Sequence, residues 1–227
     1  MSSRAHQPVP PALPPAERTV GQLVAETIKL YGDRFWSSLA VGVLPAMLTI
    51  GLALAPRSVR FPLSAVLVPA LLGVSLVAAA CIAADKRPRL PVLAVAFGCA
   101  LVAFVPVPFL ILLFVLPALA WLAFVGLAVP AAVVEELGFR DALARGTQLA
   151  RADYVHALGS LATLAIVAFL TQSVLFFVLR GVGGAALWAA SFLAELVISP
   201  LVLLGLALLY TDQAARVRLG PPEPGGA

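Results

Sequence analysis

Residues 91–134 read PVLAVAFGCALVAFVPVPFLILLFVLPALAWLAFVGLAVPAAVV and contain no charged side chain. As one helix this run would extend about 66 Å at 1.5 Å per residue, twice the roughly 30 Å of a bilayer's hydrocarbon. It must therefore hold two spans and a reversal. Two spans of at least about 17 residues each confine the reversal to positions 107–118 or thereabouts. Pro106, Pro108 and Pro117 are the breakers within reach. The VPVP segment, Val105–Pro108, is the expected turn, because two prolines two apart remove backbone donors and crowd the preceding residues.

Working outward, the runs 36–54, 63–84, 157–179 and 184–210 are nearly free of charge as well. The whole chain is 62% hydrophobic and 11% charged, with a mean hydropathy of +1.04. A soluble domain carries about 25% charge, and much of any globule faces water. Lipid, acting as solvent, resolves the excess of apolar surface. The expected fold is all-α: a polytopic bundle of six transmembrane helices occupying 19–210. The first 35 residues lack the apolar core and small-residue cleavage site of a secretory signal, so the first span is expected to direct insertion and stay in place.

Two stretches are helical in rhythm but too polar to cross. In 19–34, Val20, Leu23, Val24, Ile28 and Tyr31 share one face opposite Gln22, Glu26, Lys29 and Asp33. Thr19 and Gln22 have capping-box spacing at its start. In 137–154, Phe139, Leu143, Gly146, Ala150 and Tyr154 make one face. Glu136–Arg140 and Asp141–Arg145 are spaced as i,i+4 pairs with the acid first. Both read as amphipathic helices lying at the membrane interface. Residues 1–18, with five prolines, and residues 211–227, ending in PPEPGGA, read as disordered tails.

Charge distribution orients the bundle. With the N-terminus inside and six spans, the outer segments hold Arg57, Arg60 and Arg180. The chain has 15 Lys and Arg, so 15 − 3 leaves 12 inside. This asymmetry predicts that both termini are cytoplasmic, and the bias to Arg over Lys with the Ala-rich spans points to a GC-rich bacterial genome and so to a bacterial inner membrane. Arg34, Lys86, Arg87, Arg89, Arg140, Arg145 and Arg151 flank the spans, where they serve as topology signals and contacts for anionic lipid headgroups. Their scatter along the flanks argues against nucleic acid as the partner of the net +4 charge.

Three segments carry a family resemblance: VGQLVAETIKLYGDRFWSSLAVGVLPA, GFRDALARGTQLARADYVHALGSL, and PLVLLGLALLYTDQAARVR starting at Pro200. Together, over about 19–218, they resemble the six-span bacterial family named after the membrane domain of glycerophosphoryl diester phosphodiesterases. In that family's fused enzymes the chemistry lies in a separate soluble barrel that uses His residues and a metal held by carboxylates. The resemblance therefore implies a stand-alone membrane module without that activity. The longest connection between spans here, about 22 residues, has no room for such a barrel. Gln213-Ala214-Ala215 departs from the Asp-Leu-Arg type of sequence usual in the family.

Residues able to do chemistry are few. His6 lies in the N-terminal tail and His156 at the start of span five. Glu135 and Glu136 are adjacent and read as helix-start charges favoured by the macrodipole, not as groups facing across a cleft. Gly181, Gly183 and Gly184 lack the strand and the Lys-Ser/Thr of a phosphate loop. Cys81 and Cys99 read as small hydrophobes within helices. No metal site, cofactor or catalytic set is expected. The small-residue stripes Ala65, Pro69, Gly73 and Ala186, Ala190, Ala194 read as close-packing faces. Glu195 is the ionisable residue deepest within a span, and such a group needs a partner. Counting back from a hairpin turn near 182 places Gln172, flanked by Thr171 and Ser173, close to its level. Two functional classes follow. The first is a non-catalytic module of the plasma membrane: a scaffold, a subunit for a membrane-protein partner, or a lipid-interacting protein. The second is a small transporter or channel component using Glu195 and this polar group.

Overall fold

The computed structural model describes residues 18–179 and 184–219. Ten helical segments run in order: α1 Val20–Asp33, α2 Phe35–Leu54, α3 Arg57–Ala84, α4 Leu90–Phe104, α5 Val107–Leu113, α6 Val115–Val125, α7 Ala128–Glu135, α8 Phe139–Ala152, α9 Tyr154–Leu179 and α10 Gly184–Leu219. No strand occurs among the described residues. With α4–α5 and α6–α7 each acting as one interrupted rod, six helices are long and apolar enough to cross a membrane.

The spans alternate in direction, and side-chain bonds gather one end of the bundle. Arg34 meets Asp85 at 2.7 Å, and Lys86 Nζ donates to the Val134 carbonyl at 2.6 Å. The Tyr210 hydroxyl donates to Glu135 at 2.7 Å, and Arg18 meets Asp212 at 3.0 Å. This terminal end is crossed by α1 and α8. The capping box forms as the spacing predicts: the Gln22 backbone N–H donates to Thr19 Oγ1, and Gln22 Oε1 accepts from the Thr19 backbone N–H at 2.8 Å. Helix α10 is central, packing on α2, α3, α8, α9 and α1. The α6–α7 rod is the most enclosed span and α9 the least.

Close approach of backbones depends on two glycines. A Cβ on Gly42 of α2 would collide with the Leu196 carbonyl and the Pro200 ring of α10. A Cβ on Gly146 of α8 would stand 2.5 Å from the Ala128 backbone nitrogen. Both seams exist because these positions lack a side chain.

Several expected boundaries shift. The reversal between spans three and four is not at Val105–Pro108. It falls at Phe114, whose extended backbone (φ −175°, ψ 163°) separates α5 from α6. The VPVP segment only interrupts span three, since Pro106 and Pro108 occupy the start of α5, where a helix needs no backbone donors. A turn at 105 would have left span three about 22 Å long, short of the hydrocarbon thickness. The loop expected over Ala55–Pro62 shrinks to two residues, because Pro62 falls within the first two turns of α3 and leaves them helical. Helix α10 runs nine residues beyond the expected end at Tyr210, so 211–219 is ordered helix and not tail. No glycine or proline stands between Tyr210 and Gly220 to stop it. Glu136 closes α7 in the left-handed region (φ 52°), on a different helix from Arg140, so the i,i+4 pair expected there does not exist. Residues 1–17, 180–183 and 220–227, which include parts of the expected tails and the turn expected between spans five and six, lie outside the described residues.

Candidate functional site

Two polar assemblies sit on α10, about 25 Å apart along its axis. The first joins Glu195 to α9: Gln172 Nε2 donates to Glu195 Oε2 at 2.6 Å. Both side chains are half-buried. The neighbours expected to complete a polar group do not join this bond. Thr171 is exposed, and its hydroxyl donates to the Val167 carbonyl of its own helix at 2.8 Å. Ser173 is half-buried on the same helix. Glu195 lies about 22 Å along α10 from Tyr210 and about 16 Å from the start of the helix at Gly184.

The second assembly closes the terminal end. Asp212 is fully buried, and Arg18 Nη1 meets its Oδ1 at 3.0 Å. Arg216 reaches three ways: Nη1 to Asp153 Oδ2 at 2.9 Å, Nη2 to the Arg18 carbonyl at 2.8 Å, and Nη2 to His156 Nε2 at 3.4 Å. Gln213, also fully buried, donates to the Asp153 carbonyl at 3.2 Å. Asp153 in turn caps α9 by accepting from the His156 backbone N–H at 3.0 Å. Asp212 Oδ2, Gln213 Oε1 and Arg216 Nε are buried without a protein partner. These residues bind the start of α1, the α8–α9 junction and the end of α10 into one knot. Beside it, Arg145 donates to Glu135 at 2.9 Å, and Glu135 accepts from Tyr210 as well. Arg145 thus pairs across to α7 and not with Asp141.

The expected headgroup residues divide into two sets. Arg34 and Lys86 fasten helix ends, as above. Arg151 lies over the Phe124 ring at 5.7 Å, a cation–π contact within the protein. Arg87, Arg89 and Arg140 are exposed at the terminal end. Sequence reasoning missed Asp212, Gln213, Arg18, Arg216 and Asp153 as a group. The available signal was the i,i+4 spacing of Asp212 and Arg216 in a stretch with no helix breaker, which marks continuing helix. Their union with Arg18 and Asp153 is long-range and leaves no local trace.

Among the described residues no three His, Cys, Asp or Glu side chains converge as a metal cage would require. Cys81 and Cys99 are free thiols, Cys99 buried and Cys81 partly so. Compared with protein families, with curated proteins and with solved structures, the chain matches none.

Proposed function

We propose that the chain is a non-catalytic, six-span protein of the bacterial plasma membrane, a scaffold or lipid-interacting module with both termini in the cytoplasm. The observation that carries this reading is how its polar side chains are used. Asp212, Arg18, Arg216, Asp153, Glu135 and Arg145 bond to one another across helices, and Glu195 bonds to Gln172. Chemistry on a substrate would instead need such groups converging on a shared opening. The implied membrane module of the phosphodiesterase family fits the same reading.

The terminal end holds Arg87, Arg89 and Arg140 exposed to the surface, whereas the far end carries Arg57 and Arg60. Basic residues concentrate on the cytoplasmic side, where each near the surface adds about 1 kcal/mol of attraction to an anionic leaflet. In a background with Cys81 and Cys99 replaced by Ala, a cysteine at Ser58 should react with an impermeant maleimide added to intact cells, and one at Arg89 should not. Reversed labelling overturns the orientation. In proteoliposomes containing a pH-sensitive dye, the protein should carry no proton current above protein-free vesicles under an imposed potential. A current abolished by Glu195→Gln would replace this reading with a transporter.

A further inference from the structure

The connection between spans three and four differs in chemistry from every other described connection in the bundle. Residues 111–116, Ile-Leu-Leu-Phe-Val-Leu, are all apolar, and each is more than half exposed, Leu113 reaching 76%. The exposure runs all round the tip, so it is not one face of a helix awaiting a neighbour. The connection at the same end between α2 and α3 has Arg57 and Arg60, with Arg60 donating to the Ala53 and Ala55 carbonyls at 3.1 Å. The connections at the terminal end carry Asp85–Arg89, Glu136 and Asp153.

Two constraints set the depth of this tip. Its backbone breaks at Phe114, whose side chain supplies no cap. The last carbonyls of α5 and the first N–H groups of α6 therefore have no intrahelical partner, and hydrocarbon offers none. The tip must reach water or headgroups. Span three, however, is only just long enough to get there. Its 24 residues from Leu90 to Leu113 extend about 36 Å, against roughly 30 Å of hydrocarbon and 40–45 Å with both headgroup layers. With Arg87 and Arg89 anchored at the opposite face, the tip ends within the headgroup layer and not beyond it. The edge-to-face rings of Phe61 and Phe109, 5.5 Å apart, lie about 30 Å from Arg89 along the rod and mark the hydrocarbon edge, as interfacial aromatics do. The exposed apolar surface is continuous from Phe109 into the tip.

We infer that residues 111–116 form an interfacial wedge: the tip of the span three–four hairpin is immersed at the acyl–headgroup boundary of the leaflet opposite the termini. Its apolar side chains meet acyl chains, and its open backbone groups bond to headgroups and their water. The partner is the phospholipid interface itself. The assignment holds whichever leaflet faces the cytoplasm, so the Ser58 and Arg89 labelling tests orientation separately.

The test uses the full-length protein in phospholipid vesicles, without Cys81 and Cys99, bearing one nitroxide at Phe114→Cys or, should that variant fold poorly, at Leu112→Cys. A second sample labelled at Ser58→Cys provides the water-facing reference. The wedge predicts a spin label readily relaxed by oxygen, which partitions into lipid, and poorly relaxed by a water-soluble nickel chelate, the reverse of the Ser58 label. Nickel access equal to that at Ser58 would place the tip in water and overturn the assignment. Low access to both reagents, or dipolar broadening between labels, would place protein against the tip, either another chain or a second copy, and would equally overturn it.

Discussion

Helix α10 carries two carboxylates, Glu195 and Asp212, about 25 Å apart along its axis, and their environments are opposite. Glu195 stands in an apolar stretch, is half-buried, and is bonded to a neutral amide on α9, the least enclosed span. Asp212 stands in a polar stretch, is fully buried, and is ion-paired to an arginine 194 residues away in the chain. A carboxylate conspicuous in sequence is thus modestly held, and one that looks like part of a solvated tail is the most enclosed charge of the terminal end. Hydropathy registers what surrounds a residue along the chain. Burial depends on what the fold lays over it, here α1 and its Arg18 lead-in.

The largest effect should follow from unpairing Asp212. Arg18→Ala leaves a buried carboxylate without its ion-pair partner, which costs about 3–5 kcal/mol. Reversible unfolding in mixed micelles should show this loss, and the double variant Arg18→Met with Asp212→Leu should recover much of it. A loss below about 1 kcal/mol for Arg18→Ala would mean that Asp212 is not held as the geometry has it, at the level of an exposed pair.

Next in size is a steric test beside the other carboxylate. Gly42→Ala drives a methyl into the Leu196 carbonyl and should cost about 1–3 kcal/mol, as overpacking does. Because Leu196 adjoins Glu195, the same change should weaken the bond to Gln172, seen as a smaller penalty for Gln172→Ala in the Gly42→Ala background than in the parent. Additive penalties would separate the α2–α10 seam from the polar pair.

Glu195→Gln should change stability by less than about 1 kcal/mol, since interhelical hydrogen bonds within membranes average about 0.6 kcal/mol and an amide can still bond an amide. A loss comparable to that of Arg18→Ala would erase the contrast between the two carboxylates. The smallest effect belongs to Asp85→Asn. The Arg34–Asp85 pair is solvent-facing, with Asp85 79% exposed, and such pairs contribute about 0–1 kcal/mol. Asn also tolerates the left-handed backbone at this position (φ 51°). Unfolding should shift by no more than a few tenths of a kcal/mol, less still at high salt.

Much of the architecture was legible because lipid imposes a length rule that acts on sequence directly. Six runs long enough to span, the two polar helices at 20–33 and 139–152, and the Thr19–Gln22 cap all follow from local spacing. The partner of Glu195 was legible for a related reason: in a hairpin of two helices, register counted from the turn brings Gln172 close to its level. Proline placement was less informative. Pro45, Pro62, Pro69 and Pro200 all lie inside continuous helices, and the true reversal at Phe114 has no proline at the break. A proline in the first turn of a helical segment costs little, and neighbouring helices can hold a span together around one in its middle.

By itself, then, the sequence determined that the chain has six helices long and apolar enough to cross a membrane, and that a lone carboxylate in an apolar helix needs a nearby partner. These are properties of single helices or hairpins in a solvent of known thickness. Only the tertiary structure decided where span three turns, how far α10 continues, and that Arg18, Asp153, Asp212, Gln213 and Arg216 close the terminal end together. Those outcomes depend on contacts between residues up to 198 positions apart. Such contacts form only when the packing of all six spans brings the ends of the chain to one place, and no local pattern encodes that packing.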